Sequence, residues 1–102
     1  MAFETVASLD DIEDEGTFVV DGEPKIVLFR VGTDVFATQF FCTHEDAPMD
    51  DGWVGDDCTV ECPWHASKFD LRTGEALGPP AFEPLQTYPV RVEDGAVMLD
   101  RG

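Results

Sequence analysis

The sequence predicts an all-β protein, a small β-sandwich or barrel scaffold with a loop-rich subdomain over residues about 40–80. Two observations carry that class. Short stretches rich in Val, Ile and Phe recur between Gly, Pro and Asp turn signals, and such residues suit a half-buried pleated surface. The rhythm breaks in residues 41–57, where Asp, Gly and Pro concentrate. At 102 residues and 43% hydrophobic content, the chain is expected to form a single domain over residues 1–102, with one core and no second lobe.

Each element has its own reason. Residues 3–7 alternate and read as a first strand. Residues 9–15 read as a helical turn or loop, with Asp10 as a cap. Residues 17–20 and 25–31 flank Asp21-Gly22-Glu23-Pro24, a hairpin signal. A turn at Val31-Gly32-Thr33-Asp34 leads into a strand over 35–40. Residues 41–57 read as loop, 58–61 as a short strand, 67–71 as another, and Arg72-Thr73-Gly74-Glu75 as a turn. Gly78-Pro79-Pro80 cannot lie in a central strand, because two consecutive prolines lack N–H donors. Residues 85–92 and 96–99 read as a final hairpin around Asp94-Gly95.

The charge narrows the partners. Twenty-two acidic and six basic residues give a net −16. Such a surface repels DNA, RNA and anionic lipid, so neither a nucleic acid nor a membrane is expected as partner. It favours a protein with a basic face; solubility or an acidic host proteome is an equal reading of the same charge, and is compatible with docking. Met1-Ala2-Phe3-Glu4 shows no basic region followed by an apolar stretch, so no secretory leader is expected, and no apolar run approaches the ~18 residues of a membrane span. A cytoplasmic location, where thiols stay reduced, is the expectation.

The chemistry sits in two doublets. Both histidines of the chain stand beside a cysteine, in Cys42-Thr43-His44 and Cys62-Pro63-Trp64-His65, with seventeen residues between. A lone Cys is ordinarily a small buried hydrophobe. Two mixed doublets that use every His in a short chain point instead to a metal. Two chemistries fit two thiolates and two imidazoles: a 2Fe–2S centre with two Cys and two His ligands, or a tetrahedral Cys2His2 zinc. Usual zinc fingers pair Cys with Cys and His with His; here each segment is mixed. The third cysteine, Cys58, is expected to be a buried strand residue.

With these residues in hand, the chain resembles the Rieske-type ferredoxins of bacterial aromatic-ring-hydroxylating dioxygenase systems. The pattern C-x-H followed by C-x-x-H falls on Cys42, His44, Cys62 and His65. The likeness extends to Phe36-Ala37-Thr38, Met49-Asp50-Asp51-Gly52, Lys68-Phe69-Asp70, Arg72-Thr73-Gly74 and Tyr88-Pro89-Val90. It implies a Rieske-type fold and one [2Fe–2S] cluster, with Cys42 and Cys62 on the inner iron and His44 and His65 on the outer. It also implies a one-electron carrier rather than an enzyme. Its partners would be a flavin-dependent reductase and a terminal oxygenase with its own Rieske centre, in aromatic hydrocarbon catabolism. A monomer is the simplest expectation. Other readings are a Rieske carrier for another acceptor such as a diiron monooxygenase, a zinc-stabilised non-redox binding module, and a regulatory or assembly subunit.

The departures from the wider Rieske family matter as well. Respiratory and photosynthetic members carry a disulfide between the loops, where this chain has Ala47 and Trp64. Their loop is followed by a Ser and a Tyr that hydrogen-bond sulfur; here Ser67 matches the first, and Phe69 replaces the second. A missing hydroxyl and a charge of −16 predict a reduction potential in the lower part of the Rieske range, whose floor is about −150 mV. Pro63 is expected to fix the second loop. Trp53 and the phenylalanines are expected to pack; Trp64 is expected to pack, or else to shield the cluster or extend a docking surface; and Gly78-Pro79-Pro80 resembles the third loop that covers the cluster.

Overall fold

The computed structural model describes residues 3–43, 47–64, 67–78 and 83–101. Ten strands among these residues form three antiparallel sheets: β1 (Glu4–Ser8), β2 (Thr17–Val20), β3 (Ile26–Val31), β4 (Asp34–Gln39), β5 (Trp53–Val54), β6 (Thr59–Glu61), β7 (Lys68–Asp70), β8 (Thr87–Tyr88), β9 (Val90–Glu93) and β10 (Ala96–Leu99). The all-β class is borne out. The sheet orders are β1-β10-β9, β2-β3-β4-β8 and β5-β6-β7.

The four-stranded sheet is the middle layer, and β3 shows why. Ile26, Val27, Leu28 and Phe29 are all fully buried. Successive side chains point to opposite faces. Ile26 and Leu28 therefore pack with Val97 and Leu99 of β10, while Val27 and Phe29 pack with Val60 of β6 and Phe69 of β7. The expected single core is thus two apolar clusters, one on each face of this sheet. A strand buried on both faces needs a continuous apolar run rather than alternation.

The hairpin β2–β3 and the turn into β4 fall as expected, with Val20 opposite Ile26 and Val31 opposite Asp34. Four expectations change. The segment 85–92 is not one strand. It divides at Pro89, which has no N–H to donate: β8 pairs with β4 in the middle sheet, and β9 with β10 in the outer one. Residues 41–57 are not all loop, for they hold a 310 turn (Met49–Asp51) and β5. Cys58 is not in a strand. It ends the turn between β5 and β6 with φ of +63° and is half-buried. Ser8, rather than Asp10, caps the first 310 turn (Leu9–Asp11), and its N–H donates to the Asp11 carboxylate at 2.9 Å.

Among the described residues, no helix is long and apolar enough to cross a membrane.

Candidate metal centre

Two β-hairpins carry the two doublets. In the first, the Cys42 N–H donates to the Ala47 carbonyl at 2.9 Å, and the Met49 N–H to the Phe40 carbonyl at 2.8 Å. In the second, β6 pairs with β7, Glu61 stands opposite Lys68, and the Cys62 N–H donates to the Ser67 carbonyl at 2.7 Å. Each cysteine is therefore bonded to the residue five positions on, at the base of a four-residue tip. His44 and His65 belong to these tips and lie outside the described residues, as do Pro79 and Pro80 of the expected covering loop.

Cys42 is 4% exposed and Cys62 fully buried, and both belong to the apolar cluster between the middle sheet and β6–β7. Ala47, Met49, Phe69 and Leu85 belong to the same cluster. The structure thus brings together the two cysteines that the sequence separates by twenty positions. None of the three cysteines forms a disulfide. Ala47, at one position of the absent disulfide, is fully buried.

This surrounding fits a thiolate-ligated cluster. A thiolate in an apolar core is costly unless a cation neutralises it, and a metal does so while deprotonating the thiol. Two soft sulfur donors in one apolar cluster, each followed in the sequence by a histidine two or three positions on, match the Cys2His2 donor set of a Rieske centre. Ser67 is fully buried directly beyond the second tip. Phe69 fills the position of the family's tyrosine, also fully buried.

A third segment is stitched to the site by residues that sequence reasoning missed. The Thr43 hydroxyl, between Cys42 and His44, donates to the Glu83 carbonyl at 2.8 Å. The Gln39 side chain accepts from the Gln86 N–H at 2.8 Å and donates to the Phe41 carbonyl at 2.6 Å. The backbone adds a bond from the Gln39 N–H to the Gln86 carbonyl at 2.9 Å. Gly74 lets this segment approach from the other side: its φ is +80°, and an added Cβ would run into the Leu85 carbonyl. The Leu85 N–H donates to the Gly74 carbonyl at 2.8 Å. No motif marks Gln39 or Gln86, and the only signal for Thr43 was its place between two candidate ligands.

The tryptophans overturn the expectation that they pack. Trp53 is 61% exposed and Trp64 48%, so neither is core; Phe41, next to Cys42, is 46% exposed. The β5 register explains Trp53: Val54 faces inward against Val60, which leaves Trp53 on the outer face.

The family model for the Rieske [2Fe-2S] domain matches residues 3–89 of this chain. The 3-phenylpropionate/cinnamic acid dioxygenase ferredoxin subunit of Shigella flexneri is 46% identical over 90 residues, covering 88% of this chain and 85% of its own. The solved ferredoxin of carbazole 1,9a-dioxygenase from Nocardioides aromaticivorans superposes with a TM-score of 0.93 at 27% identity, over 100% of both chains. A chain in the solved complex of reduced oxygenase and oxidized ferredoxin in carbazole 1,9a-dioxygenase superposes with a TM-score of 0.86 at 29% identity. It covers 95% of this chain and 91% of that one.

Proposed function

This chain belongs to the Rieske [2Fe–2S] domain family, and on that premise we propose that it is the ferredoxin of an aromatic-ring-hydroxylating dioxygenase system, carrying single electrons from a flavin-dependent reductase to a terminal oxygenase with its own Rieske centre. Its prosthetic group is a Rieske-type [2Fe–2S] cluster. Cys42, Cys62, His44 and His65 are the proposed ligands. The observation that carries the reading is the pair of buried cysteines, each at the base of its own hairpin tip in one apolar cluster.

The cluster supplies reversible one-electron chemistry. The chain's own residues do the rest. The apolar shell of Ala47, Met49, Phe69 and Leu85 keeps water from the cysteine side, where hydration would otherwise favour the more charged state. The Thr43 and Gln39 hydrogen bonds hold the 83–86 segment against the first tip. Both histidines of the chain are used as ligands, so no 2-His-1-carboxylate site for oxygen activation can be assembled. The protein is accordingly a carrier and not itself an enzyme. The dioxygenase assignment is supported by the ferredoxin subunit of Shigella flexneri at 46% identity and by the relative solved in complex with an oxygenase. The net charge of −16 suits a partner with a basic face, not nucleic acid or membrane. Reduced thiols suit a cytoplasmic location, and a monomer is the simplest form for such a carrier.

Anaerobic purification tests this. The expected product is red-brown, holds about two irons and two acid-labile sulfides per chain, and gives a Rieske EPR signal with nitrogen hyperfine coupling on reduction. A colourless protein with one tightly bound zinc would refute it.

A further inference from the structure

The outer face of the β5-β6-β7 sheet presents one ordered row of side chains. Trp53 stands opposite Glu61, and Glu61 opposite Lys68. The row continues to Leu77, whose N–H donates to the Lys68 carbonyl at 2.8 Å beside the Phe69–Ala76 bridge. Strands lie ~4.8 Å apart, so the row is roughly 14 Å long. It has an apolar residue at each end, Trp53 at 61% and Leu77 at 48% exposure. Glu61 and Lys68 immediately flank the second tip, so this row borders the proposed cluster loop.

A groove of about 280 Å³ opens beside Trp53. That volume takes a guanidinium or ammonium side chain, not a drug-sized ligand. Asp56, Asp57 and Glu61 line it, with Lys68 as the single cation. The Thr59 hydroxyl donates to the Asp57 carboxylate at 2.6 Å, which keeps that carboxylate ionised and fixed at the rim. An exposed indole bordered by carboxylates is a cation receptor: the ring face attracts Arg or Lys, and the acids attract it over a longer range.

We propose that the Trp53–Leu77 row is a docking surface for a basic redox-partner protein, which seats an arginine or lysine over the Trp53 indole between the carboxylates of the groove. This inference rests on the electron-carrier reading above. The position fits transfer, because a partner gripped here lies against the second cluster loop and needs no contact with the β1-β10-β9 sheet. Tryptophan is also the residue type most enriched at energetic centres of interfaces.

Lysine-rich mitochondrial cytochrome c serves as the probe. One electron passes from the anaerobically reduced protein to the ferric haem, which becomes ferrous, and stopped-flow absorbance reads the second-order rate. Ferricyanide, a small anion that needs no docking, is the comparison oxidant. Trp53→Ser is expected to slow the reaction with cytochrome c about tenfold at low salt while leaving the ferricyanide rate and the EPR signal unchanged. A cytochrome c rate left unchanged by Trp53→Ser, or an equal proportional fall with both oxidants, would overturn the proposal. Asp57→Lys tests the same surface without touching the indole. It is expected to slow the cytochrome c reaction more than Asp10→Lys does, an equal charge change in the first 310 turn, which follows β1 of another sheet. Equal effects from the two would likewise overturn it. A preparation with no reducible cluster is recognised by EPR before mixing, and would overturn the carrier reading and this inference together.

Discussion

The Thr43 hydroxyl and the Glu83 carbonyl, 40 positions apart in the chain, are hydrogen-bonded at 2.8 Å across the rim of the candidate metal centre. Thr43 stands between two proposed ligands, so this bond links the first tip to the segment that returns from the far side of the site. Thr43→Val keeps the shape and removes the donor. An exposed neutral hydrogen bond contributes about 0.5–1 kcal/mol. The cluster is therefore expected to bleach about two- to fivefold faster with a chelator, and Thr43→Ser should restore the wild-type rate. Visible absorbance against time is the measurement, and an unchanged rate in the valine variant would show that the bond holds nothing in place.

Phe69 stands fully buried in the same cluster as Cys42 and Cys62, at the position where other Rieske families place a tyrosine. A hydroxyl that donates to a cysteine sulfur stabilises the more negative, reduced state. Phe69→Tyr is thus expected to raise the potential by about 40 mV, the one-electron equivalent of about 1 kcal/mol. The extra atom should also destabilise the packed interior by about 1–3 kcal/mol. Redox titration and thermal melting read the two effects separately. A wild-type potential above about +200 mV would contradict the low-range reading of Phe69 and Ala47.

Much of this architecture was legible in the residues, and the failures have physical causes. The doublets identified the two cysteines and both tips, because a Cys and a His at such spacing have few other reasons to stand together. The run Ile26-Val27-Leu28-Phe29 signalled a strand, yet its continuity also signalled burial on both faces, and hence two clusters rather than one core. The split at Pro89 went unread because a two-residue strand such as β8 carries too little pattern to separate from β9. Trp53 could not be placed without its register: a shift of one position in β5 would turn it inward and Val54 outward. Cys58 at positive φ follows from the geometry of the β5–β6 turn, not from any preference of cysteine.

Arg30 has a structural task. Its guanidinium donates to the carbonyls of Ile12 and Gly32 at 2.7 Å each and of Leu9 at 3.1 Å, tying the first 310 turn onto the β3–β4 hairpin. Ile12 is fully buried, so its carbonyl has little access to replacement water. Arg30→Ala is expected to destabilise the fold by about 2–4 kcal/mol. Arg30→Lys should recover less than half of this, since a point charge cannot serve three divergent acceptors. Urea denaturation of the holoprotein checks both values.

The Asp57 carboxyl is held below the ordinary aspartate range, chiefly because the Thr59 hydroxyl donates to its charged form. A depressed folded-state pKa contributes stability that is fully present above the unfolded value, and that contribution is lost as pH falls through the folded value. Thr59→Val removes the donor. It is expected to raise the Asp57 pKa toward the ordinary carboxylate value, and to leave the neutral-pH fold intact because the side chain is isosteric. NMR titration of the Asp57 carboxyl carbon reads the shift directly; no upward movement would show that the hydroxyl does not set it.

The ligand assignment is tested at His65. Rieske centres reach higher potentials than all-cysteine clusters because two neutral imidazoles replace two thiolates, so the cluster carries less negative charge to oppose the incoming electron. His65→Cys restores one of those charges. In molecules that retain a cluster, the potential is expected to fall by roughly 100 mV or more, toward the all-cysteine range near about −400 mV. The nitrogen hyperfine coupling should decrease with it, since one imidazole remains at His44. A cluster whose potential and hyperfine pattern both match the wild type would mean that His65 is not a ligand, and the pairing of one thiolate and one imidazole in each tip would then be wrong.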